Sequence, residues 1–398
     1  MLKKNITFIY SDSAERNNYQ PIADEAIRRG YKVSFTDNKF QRCDIGFYCQ
    51  HVNFPQFSRF SVIMLHDIIQ GYSRWPDLWY EEPWNKYDIG ILPSQQWIDN
   101  WNQCSQWFYA RPRIGMFKIG WPKADIIINL KERSSRRAFY QKYHLDINKR
   151  TVLYAPAWEN DNKQDEFVQS MLKLDVNILI KQAKWNDNYP HIIQNIKEMY
   201  RLHKDNPRIT ILPPETNIFE AIAVSDILVS EESSTMCEAA MMGIPAVSVT
   251  NWLIPDVIPS RYPKCDYSFV ITTVKENLTE CIMNILTNYQ KFKQESIEFA
   301  RNTFSNIGNT SSLIMDIIDD VVEEKKIRYG QIEPNENRRI SFAKDIKRRF
   351  FLLKREIGEN YSERYILVRF IWKGIKYAKN KFFKIKLLSC FTNLSHVK

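Results

Sequence analysis

SDILVSEESSTMCEAAMMGIPAVSVT, residues Ser225 to Thr250, is the stretch that decides the fold. Asp226-Ile227-Leu228-Val229-Ser230 is a short apolar run with β-branched members, the pattern of a strand covered on both faces. Glu231-Glu232-Ser233-Ser234 interrupts the run, and residues 235–242 are the small and unbranched types that favour helix. Gly243 and Pro245 stop that helix, and Ala246-Val247-Ser248-Val249 predicts the next strand. A strand feeding a helix through a Ser-rich turn presents free N–H groups and the positive end of the helix dipole, which suits a phosphate. The same residues also read as a capping box, Thr235-x-x-Glu238. Both readings stay open at this point.

The alternation extends in both directions. Residues 5–10 predict a strand, 21–29 a helix and 31–35 a second strand, a βαβ opening. The intervening loop, 11–20, has no Gly-x-Gly, so the dinucleotide fingerprint is missing. Short strands are predicted at 45–48, 61–65 and 89–92, and the Trp- and Tyr-rich block 75–121 reads mainly as core rings. After a charged helix at 131–143, strands at 151–155, 176–180 and 208–212 precede the opening motif, with helices at 189–203 and 218–224 between them. The expected fold class is α/β, two doubly wound Rossmann-like domains with a cleft between them. The expected boundaries are 1–130 for an acceptor-side domain, 131–330 for a nucleotide-donor domain, and 331–398 for a basic helical tail.

Composition narrows the function classes. With 44% hydrophobic and 26% charged residues the chain is a folded protein rather than a disordered one. Its net charge of +10 is concentrated at one end: residues 331–398 hold 17 Lys+Arg against 6 Asp+Glu, leaving 39 against 40 elsewhere. The body therefore carries no electrostatic footprint for nucleic acid. Seven Cys form no CxxC pair, which fits free thiols in a reducing compartment. The His residues are scattered without HExxH or zinc spacing, so neither metal nor cofactor is expected. No Asp-x-Asp occurs, which argues against a donor held through a divalent ion. The start, MLKKNITFIYSD, is too short in apolar residues for a signal peptide, and no stretch reads as a transmembrane span.

Ligands of doubly wound sheets bind at the carboxyl ends of strands. His66-Asp67, followed by Gly71-Tyr72, stands at one such end, and an imidazole there suits a general base. Residues 156–161 follow another strand as a polar turn. Lys181 and Lys184 leave a third, where their charge suits a diphosphate or simply solvent. Glu238 lies a turn inside its helix, placed to accept ribose hydroxyls while Ser233 and Ser234 bond phosphate oxygens. Glu231 and Glu232 would repel a phosphate unless turned away.

The order of these segments resembles the CDP-glycerol glycerophosphotransferase family, the teichoic-acid polymerases and their relatives with a two-domain GT-B fold. The matching pieces are Leu65-His66-Asp67 with Gly71 (a Trp-His-Gly turn in the family), residues 87–94, and Ile119-Gly120-Trp121-Pro122-Lys123-Ala124-Asp125 (Gly-Tyr-Pro-Arg-x-Asp in the family). Residues 152–158 and 225–245 complete the set, the latter where the family has an Asp-Tyr-Ser-Ser turn. The resemblance implies that His66 is the catalytic or phosphate-handling histidine and that Ser233 and Ser234 bind the donor diphosphate. Two departures accompany it: Lys181-Gln182 stands where the family usually has a second His, and Asp67 replaces a Gly. A UDP-sugar glycosyltransferase for capsule or cell-surface polysaccharide, or a non-hydrolysing sugar epimerase, is the rival of similar fold. A catalytically silent membrane-bound adaptor is the rival from another class.

In the tail, Phe342, Ile346, Phe350, Leu353 and Ile357 fall on one helical face, flanked by Arg339, Lys344, Lys347, Arg348 and Lys354. Residues 365–391 continue the mixture of apolar and basic types. Such a helix either packs back on the body or lies on an anionic membrane. The expected protein is a metal-independent transferase on the cytoplasmic face of the membrane, moving a polyol phosphate or sugar from a CDP-polyol or UDP-sugar donor to a lipid-linked acceptor.

Overall fold

The computed structural model describes residues 2–12, 15–68, 79, 82–130, 133–158, 164–185, 187, 189–335, 341–355 and a few positions between 357 and 377. Gly71-Tyr72, residues 159–161 and most of 365–391 lie outside the described residues.

The first sheet contains β1 (Asn5–Ile9), β2 (Lys32–Thr36), β3 (Cys43–Cys49), β4 (Ser58–Met64), β5 (Ile89–Leu92) and β6 (Gly115–Lys118), in the order β2-β1-β3-β4-β5-β6. The second contains β7 (Thr151–Tyr154), β8 (Asn177–Ile180), β9 (Ile209–Ile211), β10 (Ile227–Ser230), β11 (Ala246–Val249) and β12 (Val270–Thr273), in the order β12-β11-β10-β7-β8-β9. Every pairing is parallel. Strands β5, β7, β8, β10 and β11 are buried throughout, as their unbroken apolar runs require.

Helices cover these sheets: α1 (Glu15–Arg28), α2 (Gln95–Asn102), α3 (Ile127–Leu130), α4 (Arg133–Lys142), α5 (Gln164–Leu172), α6 (Pro190–His203), α7 (Ile218–Ala223), α8 (Thr235–Met241), α9 (Leu278–Thr287), α10 (Tyr289–Thr303), α11 (Thr310–Val322) and α12 (Phe342–Arg355). Strand order reverses between β1 and β3 in one sheet and between β7 and β10 in the other. These switch points open a crevice at the carboxyl ends of the strands, one per domain.

Three expectations are corrected. The first helix begins at Glu15, six residues before Pro21, which sits inside it. The expected loop 11–20 therefore shrinks and delivers Glu15 to the end of β1. Strands β6 and β12 were not anticipated, because both are short edge strands with partly exposed faces. The third correction concerns the boundary at 330. Helix α11 packs Ile314, Met315, Ile317 and Ile318 into the core of the first domain, beside Ile22, Ala23 and Ala26 of α1. Its start is capped by Asp125, which accepts from the N–H groups of Thr310 (2.9 Å) and Ser311 (2.6 Å). The chain thus returns to the first domain after α10.

Arg29 fastens that return. Its guanidinium donates to Asp316 (2.7 Å), Asp319 (2.8 Å) and the Ser312 carbonyl (2.9 Å). Hydrogen bonds to charged groups contribute about 1.5–3 kcal/mol each when buried. The site is partly open, so Arg29→Ala is expected to cost about 2–3 kcal/mol in all. Urea denaturation of the variant against the parent chain measures the loss.

Candidate functional site

The turn after β10 resolves the question left by its sequence. Thr235 and Glu238 do not form a capping box. The Thr235 hydroxyl and N–H both donate to the Ser233 hydroxyl (2.8 and 3.2 Å), while the Ser234 side chain makes no capping bond at the start of α8. Glu238 turns away from the helix start and meets the first domain. Its Oε1 accepts from Lys123 Nζ (2.7 Å) and Trp121 Nε1 (3.4 Å), and its Oε2 is buried with no hydrogen-bond partner. Burial raises the Glu238 carboxyl above the ordinary range, Lys123 opposes that, and Asp67 adds to it. Asp67 also raises the Cys237 thiol, in addition to burial and the nearby Cys265. The turn carrying His66 and Asp67 therefore faces α8 across the interdomain gap, with charges close enough to interact.

The two acids that threatened a phosphate are both neutralised. Glu231 is buried and accepts from the N–H groups of Ala157 (3.1 Å) and Trp158 (2.9 Å) and from the Ser230 hydroxyl (2.8 Å). It thus ties the turn after β7 to the end of β10, across the switch point of the second sheet. Glu232 is clamped by Arg261, which also holds Asp256 (2.7 Å). Beside them, the half-buried rings of Trp158, Trp185 and Tyr189 pack together at the ends of β7 and β8, with centroids 4.7 and 5.1 Å apart.

The two lysines differ. Lys184 is exposed, in the loop after β8. Lys181 is buried, and its Nζ donates to the carbonyls of Gln182 (3.0 Å) and Pro214 (2.9 Å), tying the loop after β9 to the end of β8. Burial, with the charge of Lys123, lowers its pKa to about 8. An interdomain cavity of about 810 Å³ lies alongside, lined by residues such as Asn17 and Gln20 of α1, Asp125, and Pro213, Glu215 and Thr216 after β9. That volume is in the range of small-molecule sites. His66 and Ser233 are not among its lining residues, so it adjoins the facing turns rather than containing them.

One grouping was not anticipated. Glu15 at the start of α1 and His51 and His66 on the loops after β3 and β4 converge at the switch point of the first sheet. Glu15 Oε1 lies 3.1 Å from His51 Nε2 and 3.3 Å from His66 Nδ1, and the two ring nitrogens are 3.2 Å apart. Burial alone would raise the Glu15 carboxyl, but the two imidazoles outweigh it and bring it down to about 2. Burial pulls His66 down, whereas Glu15 and Asp67 outweigh it and leave the ring above its ordinary value. His66 was legible from its place at a strand end, but no sequence motif links it to Glu15 or His51. Only correct placement of the α1 start would have pointed to Glu15.

Glu231 also sets a pH dependence. Burial lifts its carboxyl from an ordinary 4.5 to about 7, against the pull of its hydrogen bonds. The folded chain then holds a proton that the unfolded chain has released, so stability falls as pH rises from 4.5 toward 7. The expected size is about 3 kcal/mol. Urea denaturation across that window should show a shallower decline in Glu231→Gln than in the parent chain.

Residues 81–251 match the family model described as CDP-Glycerol:Poly(glycerophosphate) glycerophosphotransferase. Among solved structures, the wall teichoic acid polymerase TagF superposes with a TM-score of 0.60 at 13% identity, covering 81% of this chain and 90% of that one. A putative UDP-N-acetylglucosamine 2-epimerase from Listeria monocytogenes gives 0.55 at 12% identity, covering 84% and 100%. The UDP-GlcNAc 2-epimerase from Neisseria meningitidis, bound to UDP-GlcNAc, gives 0.53 at 12% identity, covering 80% and 100%. No curated protein sequence matches the chain significantly. At these identities the superpositions speak for the fold alone. The chain thus shares the fold of TagF and of the epimerases, and over residues 81–251 it is similar to the glycerophosphotransferase family.

Proposed function

We propose that the chain moves glycerol phosphate, or a related polyol phosphate, from a CDP-linked donor to a hydroxyl of a membrane-linked surface-polymer acceptor. The observation that carries this reading is the unpartnered Oε2 of Glu238, a buried carboxylate oxygen at the interdomain wall. A buried acceptor without a donor costs about 1–3 kcal/mol, and more when charged. A ribose hydroxyl would relieve it. Donors named for TagF and the matching family, CDPG and CDP-glycerol, carry a ribose beside a diphosphate.

The remaining roles follow from position. Ser233 and Ser234 would bond the diphosphate at the start of α8, with the exposed Lys184 and the buried Lys181 adding positive charge. Their combined charge and hydroxyls serve the donor side without a bridging divalent ion. His66, with Asp67 beside it, is assigned to the acceptor. The acceptor oxygen forms a bond to the phosphorus bearing the polyol, the bond to the bridging oxygen breaks, and the nucleoside monophosphate leaves with the electron pair. The acceptor's proton departs at the His66 cluster.

His66→Ala is expected to lower transfer by about 10²–10⁴-fold. Binding of CDP-glycerol, read as a thermal shift, should persist in that variant and fail in Glu238→Ala. Full transfer activity in His66→Ala would remove His66 from the chemistry. A panel of CDP-glycerol, CDP-ribitol and UDP-sugars tests the donor. The UDP-sugar reading keeps a foothold in Lys181, which stands in place of the second family histidine and is held by carbonyls. Silence toward every nucleotide would favour the adaptor.

The tail supports peripheral attachment to the cytoplasmic face of an anionic membrane. Helix α12 rests on the body through Leu352 and through Arg348 and Arg349, stacked on Trp107, Tyr109 and Phe108. The stripe of Phe342, Ile346, Phe350, Leu353 and Ile357 points outward instead, with Phe342 79% and Phe350 69% exposed. Among the described residues no helix is long and apolar enough to cross a membrane. Basic residues near an anionic leaflet contribute about 1 kcal/mol each. Co-sedimentation with phosphatidylserine-containing vesicles is therefore expected, weakening in high salt and lost in Ile346→Asp/Phe350→Asp. Equal binding of that double variant would exclude the stripe.

A further inference from the structure

We infer that Glu15, His51 and His66 form a binding site for a divalent transition-metal cation of the zinc type, with one position open to the interdomain gap. The inference rests on the proposed function only in placing the acceptor beside His66.

The three donor atoms stand at the corners of a nearly equilateral triangle with edges of 3.1, 3.2 and 3.3 Å. Ligands held about 2.0–2.1 Å from a tetrahedral cation lie about 3.3–3.4 Å from one another. The triangle therefore has the size that three shared metal ligands require. One edge is a hydrogen bond between the two rings, His51 Nε2 to His66 Nδ1 at 3.2 Å, but it leaves the Glu15 oxygen outside. Both ring nitrogens are close enough to Glu15 Oε1 to donate, yet that oxygen has no hydrogen-bond partner of acceptable geometry. Two protonated nitrogens aimed at one oxygen would also bring their hydrogens together across the 3.2 Å edge. A cation near the centre of the triangle satisfies all three lone pairs at once.

The surroundings are those of a built site. Glu15 is 1% exposed, and its other oxygen accepts from the N–H groups of Ser11 (2.6 Å) and Asp12 (3.3 Å). The backbone of His66 is held by Asn18, whose amide donates to its carbonyl at 2.9 Å, and that of His51 by Asn53 at 2.9 Å. Such outer contacts fix ligand orientation. Glu15 closes the inner side, while the side chains of His51 and His66 remain 37% and 36% exposed and leave an entry path. Two histidines and one glutamate, with a fourth position for water or substrate, form a catalytic zinc set. The ligand class for that position is an oxygen of a phosphoryl group or an alcohol. With His66 Nδ1 committed to the cation, the acceptor hydroxyl would be acidified there rather than by the ring.

The test is metal uptake by the full chain after chelator treatment and dialysis. One equivalent of Zn²⁺ should bind by calorimetry, and Co²⁺ should give the visible bands of a tetrahedral nitrogen–oxygen site. His51→Ala and Glu15→Gln should weaken uptake by more than about 100-fold, beyond what loss of an outer-shell partner costs. A measurement without variants covers the case in which these do not fold. Zn²⁺ should protect His51 and His66, of the six histidines, from diethyl pyrocarbonate as mapped by mass spectrometry. Absence of stoichiometric uptake, undiminished uptake by a folded His51→Ala, or lack of that protection would each overturn the site. A CDP-glycerol thermal shift on the metal-free chain keeps the two readings apart: uptake lost with the shift retained removes the cation alone, and the reverse removes the donor alone.

Discussion

The contact on which the rest of the arrangement depends is the one between Lys123 and Glu238. It joins the segment after β6 to the helix after β10 at 2.7 Å, with Glu238 only 2% exposed. Removing a carboxylate from water costs several kcal/mol, which a single ion pair recovers only in part. The observed geometry leaves the recovery incomplete on purpose or by consequence: one oxygen is bonded twice and the other not at all. The family's motif has Arg where this chain has Lys123. A guanidinium engages both oxygens of a carboxylate, whereas an ammonium acts as a point charge. Lysine therefore joins the two segments while leaving Oε2 of Glu238 unbonded.

The same logic orders the other acids of the opening stretch. Glu231, Glu232 and Glu238 lie within eight positions, and an uncompensated set would expel any phosphate. Each is assigned to a different partner: the backbone N–H groups after β7, the Arg261 guanidinium, and Lys123. What remains at the start of α8 is the pair of hydroxyls of Ser233 and Ser234. The carboxylates of the acidic turn are thus each taken up by a structural contact at the edge of the crevice.

Residues on buried parallel strands were legible from sequence because nothing competes with burial there. β5 and β11 match their expected limits, and β10 differs by one residue. Edge strands β6 and β12 were not legible, since Gly115-Met116-Phe117-Lys118 and Val270-Ile271-Thr272-Thr273 are too short and too mixed to stand out. Pro21 misled by its usual preference for a first turn, which hid Glu15. The return of α11 to the first domain was invisible for another reason. An apolar face states that a helix is covered, but not which sheet covers it. Lys181 shows the same limit at a site residue, for its position at a strand end was right while its two carbonyl partners come from the folded loops.

The family match and the convergence of side chains divide the molecule differently. Residues 81–251 include Lys123, Lys181, Glu231, Ser233, Ser234 and Glu238, the residues proposed for the donor side. Glu15, His51 and His66 all lie before that segment. Likeness to the glycerophosphotransferases is therefore strongest where the nucleotide would sit and silent where the acceptor would be activated. Since the epimerases share the fold at similar TM-scores, architecture alone does not choose the chemistry. The choice rests with the switch point of the first sheet, where two imidazoles share one buried carboxylate. The wall around Glu238 is fixed by burial and charge pairing, while the opposite wall draws its three side chains from the start of α1 and two separate loops.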